Sequence, residues 1–315
     1  MPAKPNEIQI TRVYDAPVKL VWDAWTDLNH VVKWWGPRGF TLTTKSKDFR
    51  PGGKWIYTMH GPDGTDYPNI ATYHEIVKYE KMVYDHGGNE ERQKLFTVTV
   101  TFKENKGKTT MCMTMALDTA EEAKAIKQFI KTANGNSTWD RLGEYLENET
   151  AKKDVFIINR SFAANIKTVF DMWVNPEHLS KWMGPKGSEM SFIYTNVKEG
   201  GSSHWAMSMG GDTNYGLINY KTISPHDLFV YTQNFTDKDG KISKPSFIPN
   251  YPSIIMATVA FAEEGPDETR VTLTWEIVGE ATDVERRTFH DMKTSMMGGW
   301  TGSFDKLEEV LERRK

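Results

Sequence analysis

The chain has 315 residues, about twice an ordinary domain, and its 39 Lys and Arg nearly balance 42 Asp and Glu, for a formal net charge of −3. That balance argues against a nucleic-acid binder with a strongly basic surface and against a polybasic membrane-surface protein. A single cysteine, Cys112, excludes an intramolecular disulfide and any site that needs two cysteine ligands from one chain. With no run of about 18 apolar residues and no apolar segment in the polar N-terminus, neither a membrane span nor a secretory signal is expected, and the default compartment is the cytoplasm.

A strand is predicted over residues 8–14. A helix follows, with Val18, Val21, Trp22 and Trp25 spaced i, i+3, i+4, i+7, and with Asp15 and Pro17 marking its start. A second short helix carries Leu28, Val31 and Val32 and stops at Gly36-Pro37. Residues 54–59 alternate and set Trp55, Tyr57 and Met59 on one strand face. Residues 110–116 do the same for Met111, Met113 and Met115 and turn Cys112, expected as a structural thiol, the other way. A helical stretch over 120–147 closes the set, with a break expected at Asn134-Gly135-Asn136. The same order restarts at 155–162. A helix with Ile166, Val169, Phe170 and Trp173 follows, then a strand with Val271, Leu273 and Trp275 on one face, and a helical stretch over 282–313 with a break expected at Gly298-Gly299.

The two halves are copies. Arg12, Trp25, Trp34 and Gly36 recur 148 positions later as Arg160, Trp173, Trp182 and Gly184, and Gly52-Gly53 recurs as Gly200-Gly201. Ile76 and Tyr84 recur as Ile223 and Tyr231 at an offset of 147. A period of domain length implies two related domains, 1–150 and 151–315, joined by a short polar segment near 148–154. The fold class is α+β, twice: in each repeat an antiparallel sheet must cover its apolar face, and the last helix is the element long enough to do so. A curved sheet wrapped around one helix can leave a cavity between them.

Val21-Trp22-Asp23-Ala24-Trp25, Lys33-Trp34-Trp35-Gly36-Pro37, Arg50-Pro51-Gly52-Gly53-Lys54-Trp55 and Met59-His60-Gly61-Pro62-Asp63-Gly64 resemble bacterial homologues of the activator of heat-shock protein 90 ATPase. That family lies in the helix-grip, START-like (SRPBCC) superfamily. The second copy matches more loosely, through Val169-Phe170-Asp171-Met172-Trp173, Lys181-Trp182-Met183-Gly184-Pro185, Gly200-Gly201 and Gly299-Trp300. Gly135 stands where the second copy has Trp300, so the last helix of the first copy is expected to pack differently. The NxNNWHW signature of the eukaryotic co-chaperone's separate N-terminal domain does not occur in these residues. The resemblance implies two tandem helix-grip domains, each a curved antiparallel sheet around a long C-terminal helix, with a hydrophobic cavity.

For the eight histidines no metal-ligand spacing is present, and no nucleophile elbow appears, so no metal, cofactor or catalytic residue is assigned. The expected ligand is a hydrophobic small molecule or an apolar segment of a partner. The candidate lining of the first cavity is Trp34, Trp35, Trp55, Tyr57, Met59, His60, Tyr73 and Met113. For the second it is Trp182, His204, Trp205, Met207, Tyr220, Trp275, Met292 and Met296. Two rival readings stand beside this one. One is a co-chaperone that activates the heat-shock protein 90 ATPase, with a chaperone as partner; the other is a cyclase- or hydrolase-like cavity enzyme using polar groups such as Tyr57, His60 and Tyr73. Finally, the second copy carries 12 extra residues within 235–253, where Phe247, Ile248 and Tyr251 are expected to close the second cavity or the domain interface.

Overall fold

The computed structural model describes residues 3–87, 94–132, 135–151 and 154–314. Asn134, in the expected helix break, and residues 152–153, in the expected joining segment, lie outside them. The chain divides into two compact units, Met1–Thr150 and Ala151–Lys315.

In domain 1, strand β1 (Glu7–Tyr14) leads to helices α1 (Val18–Thr26) and α2 (Leu28–Trp34). Six strands follow: β2 (Thr41–Lys47), β3 (Lys54–His60), β4 (Asp66–Val77), β5 (Lys81–His86), β6 (Phe96–Asn105) and β7 (Lys108–Ala116). Helices α3 (Ala120–Thr132) and α4 (Ser137–Thr150) end the domain, with the interruption at the Asn-Gly-Asn segment. The sheet order is β1-β7-β6-β5-β4-β3-β2, antiparallel throughout, so each strand after β2 pairs with its sequence neighbour and β1 closes onto β7.

Domain 2 repeats this with β8 (Val155–Phe162), α5 (Ile166–Val174), α6 (Pro176–Leu179), β9 (Glu189–Thr195), β10 (Ser202–Met209), β11 (Asp212–Ser224), β12 (Leu228–Thr236), β13 (Ile255–Gly265), β14 (Glu268–Ile277), α7 (Asp283–Asp291) and α8 (Lys293–Glu312). Its sheet order, β8-β14-β13-β12-β11-β10-β9, is the same. Each domain is therefore an α+β helix-grip fold. The helix break in this copy falls at Met292 and not at Gly298-Gly299, which lie inside α8. An added Cβ on Gly298 would meet nothing within 4 Å, and one on Gly299 would make an ordinary contact 3.9 Å from Pro185, so neither position needs glycine for space.

The alternating strands bury the faces their sequences mark. Met111, Met113 and Met115 are all buried, while Cys112 on the opposite face is half-buried and accepts a hydrogen bond from the Gln9 amide at 3.2 Å. Gly52-Gly53 and Gly200-Gly201 are needed for one shared turn. A Cβ on Gly53 or Gly201 would sit 2.1 Å from the carbonyl oxygen of Asp48 or Asn196, and Gly52 and Gly200 have φ of 80° and 76°.

The tryptophan cores are also parallel. The Trp34 indole donates to the Ala24 carbonyl at 2.9 Å, and the Trp182 indole donates to the Met172 carbonyl at 3.0 Å. Trp173 stacks on Trp300 with centroids 5.9 Å apart and planes at 15°. In domain 1 the same contact is made by Trp25 on Trp139, at 5.8 Å and 15°. Gly135 is thus compensated from one turn later, because a helical side chain leans toward the N-terminus and covers the preceding turn.

Candidate functional site

In domain 1 the helices α3 and α4 do not fill the sheet's apolar face, and a cavity of about 550 Å³ remains. Trp35, Met59, Met113, Met115, Phe96 and Trp139 supply much of its wall. Arg141 on α4 fixes the Gly36-Pro37 turn at its edge, donating to the carbonyls of Gly36 at 2.7 Å, Pro37 at 2.9 Å and Phe40 at 3.3 Å. Arg38 next to that turn makes a two-pronged ion pair with Glu144, at 2.9 and 2.5 Å. In domain 2 the Lys306 ammonium takes the strap's place, reaching the carbonyls of Gly184 and Ser188 at 3.3 Å each.

The domain 2 cavity is smaller, about 310 Å³, and has a different cover. At the position of Tyr57 it has Trp205, whose ring lies across Gly216; a Cβ there would come within 2.2 Å of the ring. The long β12–β13 connection brings Phe247, Ile248, Tyr251 and Pro252 to the lining. Phe235 packs edge-on to both Phe247 and Tyr251, at 6.1 and 5.8 Å. Lys244 pins this segment by donating to the Tyr251 carbonyl and to the Glu285 carboxylate at the start of α7. The Lys244 hydrogen bond, with the Thr282 backbone amide, draws the Glu285 carboxyl down to about 2.

Of the first set of candidate residues, Trp35, Met59 and Met113 line the cavity. Trp34, Trp55, Tyr57 and Tyr73 are buried behind it. Tyr57 accepts from the Trp35 indole at 3.2 Å and stacks on Trp55 at 4.1 Å, and burial pushes its phenol far above its ordinary value. His60 lies on the opposite strand face from Met59, where its Nδ1 meets Asp66 at 2.6 Å and its Nε2 meets Thr43 at 2.8 Å. Of the second set, Trp205, Met207, Trp275, Met292 and Met296 line the cavity. Trp182 is a core plug, and Tyr220 is turned to Ser203 at 2.7 Å. His204 faces away from Trp205 and is buried against Thr236 at 3.1 Å.

The sequence reading passed over two pairs. Tyr84 and His86 on β5 both line the first cavity, and Tyr231 and Gln233 on β12 line the second. Burial lowers the His86 imidazole to about 4, although part of the ring borders the open cavity; the ring stacks on Phe96 at 5.0 Å. Their signal was the repeat itself: Tyr84 matches Tyr231, and the inward residue two positions on is His86 in one copy and Gln233 in the other. Among the described residues no group of three or more His, Cys, Asp or Glu is placed to hold a metal ion, and no helix is long and apolar enough to cross a membrane.

The profile of the family described as Activator of Hsp90 ATPase homolog 1-like protein matches residues 15–147 and again 163–312. Comparison with curated proteins returns no match. Among solved structures, a protein of Staphylococcus epidermidis is 26% identical, covering 48% of this chain and 96% of its own, with a TM-score of 0.42. One from Arthrobacter aurescens is 23% identical, covering 48% and 91%, with a TM-score of 0.43. The di-domain ARO/CYC BexL of the BE-7585A biosynthetic pathway is 14% identical, covering 96% and 97%, with a TM-score of 0.40.

Proposed function

Since the chain belongs to the Activator of Hsp90 ATPase homolog 1-like family, with one copy of that domain in each half, we propose that it is a binding protein whose two cavities each enclose an apolar small molecule. The observation that carries this reading is the pair of cavities, about 550 and 310 Å³, walled by aromatic and methionine side chains. These volumes fall in the range of small-molecule sites, and methionine walls adapt to irregular ligands. No Lys or Arg lines either cavity among the described residues, and the charged side chain at the first is Asp66, bonded to His60, which disfavours an anionic occupant.

The two sites differ in access as well as in size. The second lies under Phe247, Ile248 and Tyr251 of the β12–β13 connection, residues 237–254, which is twice as long as the matching connection 87–95 of the first copy. Calorimetric titration of the full chain with butylbenzene tests the reading. Saturable binding with a negative heat-capacity change supports it. Absence of saturable binding for butylbenzene and for other apolar probes of similar size overturns it.

A further inference from the structure

Both cavities share one matching polar pair, set beside other polar lining groups such as Asp66, Asn69 and Thr138 in the first and Asn214, Asn234 and Ser303 in the second. Tyr84 and His86 stand two residues apart on β5 and face inward, with ring centroids 6.4 Å apart. Tyr231 and Gln233 occupy the matching places on β12. Tyr84 and Tyr231 are only 4% and 2% exposed. No hydrogen bond joins either tyrosine hydroxyl, the His86 ring or the Gln233 amide to another described residue, and none of their polar atoms is completely closed off. Polar groups that open onto an apolar cavity gain most from an occupant that pairs with them.

From this arrangement we propose that both cavities select a molecule with an apolar body and a hydroxyl group, an alcohol or a phenol, seated between the Tyr–His pair in domain 1 and the Tyr–Gln pair in domain 2. The inference rests on the reading of the cavities as small-molecule sites. A hydroxyl is both acceptor and donor. Its oxygen accepts from the tyrosine O–H, and its proton goes to the unprotonated His86 nitrogen or to the Gln233 carbonyl oxygen. Both partners are uncharged at neutral pH: burial keeps His86 deprotonated and raises both phenols well above their ordinary value. A carboxylate would bring a charge with no donated proton for His86 or the Gln233 carbonyl, and would meet no cation among the described lining residues. The exchange of His for Gln between the copies preserves the property that matters here, a neutral group that accepts a hydrogen bond.

The test compares 4-butylphenol with butylbenzene on the full chain by calorimetry. The phenol is expected to bind about tenfold more tightly, the usual scale for filling a buried hydrogen-bonding site. Replacing both pairs with apolar shapes (Tyr84→Phe and His86→Phe, Tyr231→Phe and Gln233→Leu) is expected to abolish that preference, read as the ratio of the two affinities in each variant. His86→Gln, which gives domain 1 the domain 2 pair, is expected to keep it, and circular dichroism reports whether each variant folds. A phenol preference that survives removal of both pairs, or that is absent from the wild-type protein while butylbenzene binds, overturns the hydroxyl assignment and leaves the cavity reading standing. Failure of both probes to bind the wild-type protein overturns both.

Discussion

Replacing Glu144 with Ala removes the two-pronged partner of Arg38 and leaves Asp140 among the carboxylates that act on it, and its cost follows from burial. Arg38 and Glu144 keep 16% and 10% of their side-chain surfaces exposed, so the guanidinium loses a close counter-charge in a poorly solvated site. Arg141, already held below its ordinary value by burial and by the Arg38 charge, then faces Arg38 without the Glu144 charge that offsets it. Breaking a buried pair on one side costs about 3–5 kcal/mol. In exchange measurements this is roughly a hundred- to several-thousand-fold acceleration of the slowest amides, at about 1.4 kcal/mol per factor of ten. Hydrogen exchange read by mass spectrometry separates the domains: amides of β6 and β7 are expected to speed up, and those of β13 and β14 to stay unchanged. The double variant Arg38→Met, Glu144→Leu removes both charges and is expected to recover most of the loss. A single variant that changes exchange less than about fivefold, or a double variant as damaged as the single one, refutes the claim that loss of the Glu144 counter-charge sets the cost.

Further outcomes are expected from the same physics. Gly216→Ala forces the Trp205 ring to move, at about 1–3 kcal/mol, measurable by urea denaturation. Because folding depresses the His86 pKa from 6.5 to about 4, its stabilising contribution is complete above about pH 6.5 and is lost as pH falls toward 4; His86→Gln flattens that slope in a pH series of melting curves. Glu285 is likewise depressed, from 4.5 to about 2, so the contribution of the Lys244 strap holds above about 4.5 and fades as pH falls toward 2; Lys244→Met raises the Glu285 pKa in an NMR titration. Limited proteolysis is expected to cut first within 148–154 and to release two folded halves, and a first cut inside a strand would count against independent domains.

Much of this was readable from the chain because the copies repeat their heaviest side chains at fixed offsets and because strands alternate with period two. Trp35, Met59, Met113, Trp205, Met207 and Trp275 all reach a cavity wall. His60 and His204 do not, and the alternation already placed them opposite Met59 and Trp205. The helix break at Met292 could not be read from the glycines. Gly298 and Gly299 lie inside α8, whose Met296, Trp300 and Phe304 are buried in the core, and that packing is a tertiary fact. The Trp139 substitution for Trp300 was hidden for a similar reason: equivalence in the last helix follows where a ring lands, not where its Cα sits.

The two stacked indole pairs have an optical consequence. At 5.8 and 5.9 Å with nearly parallel planes each pair lies close enough to couple, within a cluster that also holds Trp34 and Trp35 at 5.3 and 5.4 Å from Trp25 and Trp182 at 4.7 Å from Trp173, so each domain carries its own exciton-coupled indole cluster. In each pair one indole, Trp25 or Trp173, sits in the helix layer, while its mate, Trp139 or Trp300, is part of the cavity wall. An occupant therefore touches one member and not the other, and filling the site changes the energy match between them. Near-ultraviolet circular dichroism of the unlabelled protein would then carry a separate signal for each chamber, assignable by Trp139→Phe and Trp300→Phe.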